Sequence, residues 1–209
     1  MNTLFSILEN KIIAIIRGAK PTDALEIAKA LCKGGIKVLE VAMNSPKALS
    51  TIEKISEELG EEVLIGAGTV LDAETARDAI SAGAKFILSP TVDIETIKMT
   101  KRYGKVSIPG AFTPTEILSA YENGGDIIKV FPATLGPSYI KNIRGPLPHI
   151  PLLPTGGIDL SNIREFIKAG AVGCGIGSAL VSKNCEINEE YLNELTQKAR
   201  EFVSIIKSI

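Results

Sequence analysis

Runs of apolar residues alternate with amphipathic segments along the whole chain. Lys11–Arg17 (KIIAIIR) is isoleucine-rich and reads as a strand, while Pro21–Lys33 has helical spacing and stops at Gly34-Gly35. The alternation then repeats. Strands are predicted over Ile36–Met43, Val63–Ala67, Lys85–Leu88, Lys105–Pro109, Asp126–Pro132, Pro151–Thr155 and Val172–Ile176. Helices are predicted over Pro46–Leu59, Asp72–Ser81, Asp93–Tyr103, Pro114–Glu122, Ser138–Ile143, Ser161–Lys168 (capped by Ser161) and Glu189–Lys207. Their proline or acidic starts and glycine stops are ordinary helix punctuation.

Eight strands, each followed by a helix, predict an α/β protein with a parallel sheet buried on both faces. The number eight predicts a single (β/α)8 TIM barrel over residues 1–209, with a short N-terminal helix in front. An open doubly wound sheet shares the same alternation and is the alternative fold. A weak repeat supports regular units: KGGIKVLEV, SAGAKFILSP, NGGDIIKVFP and KAGAVGCGIG each carry helix-end glycines into an even-numbered strand. No linker or low-complexity segment divides the chain.

Composition narrows the picture without redirecting it. At 209 residues, 45% hydrophobic and 22% charged, the chain fits one domain with a sizeable core. A net charge of -1 and no basic run point to neither nucleic acid nor an anionic membrane surface. MNTLFSILENK lacks the basic and long apolar regions of a signal peptide, and no segment has the length of a transmembrane helix. Cys32, Cys174 and Cys185 have no metal-ligand spacing, which suits a reduced, cytoplasmic protein. The single histidine, His149, sits among prolines in GPLPHIP and is expected at the surface.

Two residues break the apolar pattern. Lys129 stands inside the strand DIIKVFP, and Glu40 inside VLEV. A buried ammonium without a partner is costly, and its release is to become neutral. A neutral amine in a shaped pocket is a nucleophile for carbonyl carbon. A lysine can also snorkel to solvent along its stem, but a barrel strand buried on both faces makes that route difficult. Lys37, Lys85 and Lys105 sit at strand starts, at the open bottom of a barrel; Lys129 sits at a strand's C-terminal end, where such barrels place their active sites. Glu40 is its expected partner, as a catalytic group or as half of a structural ion pair. Aligning the repeats on their glycines puts the two one position out of phase, so counting alone does not show both pointing inward. At the same level Arg17 ends the first strand, Thr69 follows the third in GAGTV, and Pro90 follows the fourth. Each has a plainer reading, as a rim charge, a turn residue and a strand stop.

The seventh and eighth strands run into glycine loops, Thr155-Gly156-Gly157 and Gly175-Ile176-Gly177-Ser178. Glycine lets backbone N–H groups approach an anion closely. These two loops are the usual phosphate site of the fold, so phosphate is the expected ligand there.

Taken together, VLEV, GAGTV, ILSP, IKVFPA, GPLPHIPLLPTGGI and IGSALV resemble the class I aldolases for 2-dehydro-3-deoxy-6-phosphogluconate (KDPG), a family shared with 4-hydroxy-2-oxoglutarate (KHG) aldolase. The resemblance covers nearly the whole chain, in order. It implies that Lys129 forms a Schiff base and Glu40 is the acid/base. It places Thr69 and Pro90 at the pyruvate end, and Gly156, Gly157, Gly177 and Ser178 around a distal phosphate. It implies cleavage of a phosphorylated 2-keto-3-deoxy acid to pyruvate and glyceraldehyde 3-phosphate, with no cofactor and no metal, by a homotrimer. The galactonate stereoisomer is the alternative substrate. A noncovalent phosphate-binding barrel isomerase or decarboxylase, and a barrel that only senses a sugar phosphate, are the alternative functions. One departure stands out: many members carry an arginine a few residues after the glutamate, and here Asn44 occupies that place. An amide supplies no charge, so Arg17 is expected to cover the substrate carboxylate instead.

Overall fold

Isoleucine-rich, β-branched runs bounded by glycine become the strands of a parallel barrel. The computed structural model describes residues 3–182 and 186–209, so Cys185 lies outside the described residues. The strands are Ile12–Ile16 (β1), Val38–Ala42 (β2), Leu64–Gly68 (β3), Phe86–Leu88 (β4), Val106–Ile108 (β5), Gly110–Ala111 (β6), Ile128–Val130 (β7), Leu152–Pro154 (β8) and Cys174–Ile176 (β9). The helices are Thr3–Asn10 (α1), Pro21–Lys33 (α2), Ala48–Leu59 (α3), Ala73–Ser81 (α4), Ile94–Arg102 (α5), Pro114–Glu122 (α6), Pro137–Arg144 (α7), Ile163–Lys168 (α8) and Glu189–Lys207 (α9).

One sheet runs β5-β4-β3-β2-β1-β9 and the other β6-β7-β8, all parallel. They join at both ends. β5 continues into β6 through Pro109, whose carbonyl still accepts the Lys129 N–H at 2.9 Å. On the other side a Thr155–Gly175 bridge ties β8 to β9, helped by the Val172 N–H donating to Leu152 O at 2.9 Å. The sheet therefore closes, and the fifth predicted strand is this broken β5–β6 pair.

The core has two layers. The outer one packs the helices on the outward strand residues, such as Ala14, Leu39, Ile65 and Ile87. The inner one fills the barrel with Ile13, Val38, Phe86, Leu88, Val106, Ile108, Ile127 and Leu153, and Ile7 of α1 closes it from below with Leu4 and Leu8. Burying each such side chain contributes about 1.5–3 kcal/mol. Phe86 occupies the axis because Gly66 leaves room: a Cβ there would lie 2.3 Å from Phe86 Cε2.

Caps explain where several helices begin. The Asp72 and Asp93 carboxylates accept from the Thr75 and Thr96 N–H groups, and Thr113 with Glu116 forms a capping box on α6. α8 differs from expectation. Ser161 does not cap it; its hydroxyl and N–H both donate to Asp159, and the helix starts at Ile163 behind Asn162. The Asn162 amide is spent on the preceding loop, donating to Gly157 O at 2.8 Å and accepting from the Asp159 N–H at 3.0 Å. His149 is exposed and packs edge-on against Tyr121.

Candidate active site

Register settles the direction of the two anomalous side chains. Glu40 stands level with Ile15 and Gly66, and Ile15 lines the interior cavity. Lys129 stands level with Gly110 and with Leu153 of the inner layer. Partners across a parallel pair share a face, so both point into the barrel. Glu40 is 0% exposed and Lys129 3%.

Neither has an easy environment for its charge. Both carboxylate oxygens of Glu40 lack a hydrogen-bond partner in the protein. Burial pushes its carboxyl above the usual carboxylate range, against the pull of Lys129 and Arg17. Burial likewise pushes the Lys129 amine below the usual lysine range; Glu40 opposes this and the Arg17 guanidinium adds to it. Burial thus pushes both groups toward their neutral forms. Gly68 makes the carboxyl's seat, since a Cβ there would fall 1.6 Å from Glu40 Oε1.

A cavity of about 320 Å³ opens above this pair, at the C-terminal end of the strands. Arg17, Thr69, Pro90, Lys129, Gly156, Gly157, Gly177 and Ser178 all line it. Glu40 lies below, wholly inside the barrel. Arg17 Nη2 donates to Thr69 Oγ1 at 3.2 Å, while its buried Nε has no partner. Thr69 adopts φ +58°, rare for a β-branched residue, which turns the chain out of β3 at the cavity wall. Gly156 and Gly157 adopt φ +92° and +76°, conformations that glycine takes without strain, and Asn162 staples their loop. Arg17 is the one guanidinium of the lining, and Lys129 supplies an amine beside it.

Phe131, Thr155 and Asp159 are among the lining residues not proposed from the sequence. Thr155 lies two residues after Leu153 and so shares its inward face, a direction that the fold alone supplies. Its Oγ1 is buried and has no partner. Asn44, by contrast, is exposed and does not line the cavity. Among the described residues, no group of three or more His, Cys, Asp or Glu is placed to hold a metal ion.

Known proteins resemble this chain in sequence and fold. The family model for KDPG and KHG aldolase matches residues 5–197. The chain is 37% identical over 171 residues to 2-dehydro-3-deoxy-6-phosphogalactonate aldolase of Escherichia coli K12, covering 81% of this chain and 83% of that protein. It is 35% identical over 202 residues to 2-dehydro-3-deoxy-phosphogluconate aldolase of Haemophilus influenzae, covering 95% and 94%. A crystal structure of KDPG aldolase from Legionella pneumophila, with pyruvate captured as a covalent carbinolamine, superposes with a TM-score of 0.87 at 30% identity, covering 95% of this chain and 97% of that one. Barrel, cavity and relatives define a lyase, an aldolase of the Schiff-base, pyruvate-forming class. Within that class, the chain belongs to the KDPG and KHG aldolase family.

Proposed function

We propose that Lys129 is the Schiff-base lysine and Glu40 the proton-transfer group of this aldolase. One observation carries the reading: a buried amine and a buried carboxyl share one barrel interior, and burial drives both toward their neutral forms. Imine formation needs an unprotonated amine, and loss of water from the adduct needs an acid. Lys129 adds to the C2 ketone of the substrate. The carbinolamine hydroxyl leaves as water with the Glu40 proton, giving an iminium. The Glu40 carboxylate, directly or through a water, then takes the C4 hydroxyl proton as the C3–C4 bond breaks. The bond electrons enter the iminium and make an enamine. Glu40 returns the proton to C3, and water releases pyruvate.

Arg17 faces the substrate carboxylate in this reading, with Thr69 and Pro90 around the pyruvate unit. Its unpartnered Nε supports this. Gly156, Gly157, Gly177 and Ser178 receive the distal phosphate. We place KDPG first as substrate, with KHG cleavage to pyruvate and glyoxylate beside it. The galactonate isomer is the alternative, favoured by the 37% identity to the Escherichia coli enzyme named for it; comparing kcat/KM for the two C4 epimers decides between them. We further read residues 1–209 as one aldolase domain working as a homotrimer in the cytoplasm. The free thiols Cys32 and Cys174 suit a reducing compartment, and native mass measurement tests the trimer. No helix among the described residues is long and apolar enough to cross a membrane.

Borohydride added with pyruvate tests the central step. Irreversible attachment at Lys129, absent from Lys129→Ala, is the expected result. No adduct in the parent chain would overturn the reading in favour of a noncovalent barrel enzyme or binder. Arg17→Ala is expected to weaken pyruvate binding by about 10- to 100-fold, the worth of a hydrogen bond to a charged group; unchanged affinity removes Arg17 from the carboxylate.

A further inference from the structure

Phe131 is a phenylalanine without a place in the core. Phe86, Phe166 and Phe202 are fully buried, yet Phe131, at the cavity end of β7, is left 39% exposed. Its side chain forms part of the cavity wall. The backbone is pinned, its N–H donating to Ala111 O at 3.1 Å. Lys129 Nζ stands over the ring, 5.1 Å from the centroid. The ring edge rests against Gly156, where a Cβ would lie 3.5 Å from Phe131 Cε2.

An aromatic face is the negative part of the ring's quadrupole and attracts a cation within about 6 Å of the centroid. A neutral amine gains little from it. In the reaction the amine adds to a ketone, and the carbinolamine loses its hydroxyl as water with one proton from Glu40. The nitrogen–carbon bond then becomes double and the nitrogen carries a positive charge. We propose that the Phe131 ring is the electrostatic partner of that charge, favouring the iminium over free amine and ketone. This rests on Lys129 being the Schiff-base lysine. A leucine of similar bulk would fill the wall as well and supply no quadrupole. The ring also favours the resting ammonium, and so opposes part of what burial does to Lys129. Weakening the ring should therefore move the onset of amine reactivity to lower pH, which a wall-filling side chain would not do.

The test replaces Phe131 with mono-, di- and pentafluorinated phenylalanines, which keep the ring's shape and drain its face of charge. The constant for pyruvate adduct formation is read by borohydride trapping and mass spectrometry, with melting temperature alongside. The expected result is a stepwise fall in the constant across the series, about ten-fold by the pentafluoro ring and similar for Phe131→Leu, at constant melting temperature. The acid limb of the pH profile should move downward in step. An adduct at Lys129 whose yield and pH profile ignore fluorination overturns the role of the ring alone. No adduct in the unmodified chain overturns the Lys129 assignment, and this one with it.

Discussion

Gly68→Ala places a single methyl group where the Glu40 carboxyl now lies. The ideal Cβ would sit 1.6 Å from Oε1, 2.1 Å from Cδ and 2.5 Å from Cγ, against a minimum of about 3.0 Å that real Cβ atoms keep. The carboxyl must therefore move by about 1.4 Å. It is the mobile partner, because the methyl is fixed to a strand paired along β2 at Val41–Ala67 and Ala42–Gly68. A misplacement of about 1 Å costs on the order of 100-fold in rate. We expect kcat for keto-acid cleavage to fall by about 100-fold, measured by coupling pyruvate release to lactate dehydrogenase. Trapping of pyruvate on Lys129 should persist but proceed more slowly, since the amine keeps its place while loss of water draws on the displaced Glu40 proton. Gly177→Ala is the control: its Cβ would meet nothing within 4 Å, so melting temperature should hold and any effect should fall on KM for the phosphorylated substrate. A Gly68→Ala enzyme with kcat within about three-fold of the parent would refute the assignment of proton transfer to Glu40.

The charge of Glu40 can be tested through stability. Its carboxyl titrates higher in the folded chain than the ordinary 4.5, so the stability linked to it is fully present below that value and lost as pH rises through the folded one. Glu40→Gln cannot ionise, so its advantage over the parent in urea unfolding should grow as pH rises above 4.5, while cleavage falls by about 10²–10⁴-fold; an advantage independent of pH contradicts the burial argument. Thr155→Val removes a buried hydroxyl with no protein partner, and should raise stability by about 1 kcal/mol while weakening keto-acid binding. A lower melting temperature would show that the hydroxyl is structural.

The chain's alternation exposed the barrel because its strands are apolar on both faces and its helices are punctuated by proline, acid and glycine. Lys129 and Glu40 were visible for the same reason, as charges in apolar strands. Their common direction was not, because glycine spacing says nothing of how neighbouring strands are staggered. Only the pairing of Glu40 with Gly66, and of Lys129 with Leu153, places both inside. The fifth strand was predicted to end at Pro109, but the Pro109 carbonyl keeps the ladder going into Gly110–Ala111. Ser161 looked like a helix cap by residue type, and the neighbouring Asp159 captured it instead. Phe131 reads as one more apolar residue at a strand end; its distance from the amine exists only in the fold.

The plug formed by α1 has a consequence for traffic. With Ile7, Leu4 and Leu8 sealing one end of the barrel, molecules come and go past the glycine loops. Under the aldolase reading, the pyruvate unit is held deepest, on Lys129, and the aldehyde nearest the way out. The aldehyde then has to depart before water can free pyruvate. In the reverse direction pyruvate has to enter first, because an aldehyde already lodged at the loops would block its path. A dead-end barrel thereby imposes a queue, and the order of binding and release follows from its shape.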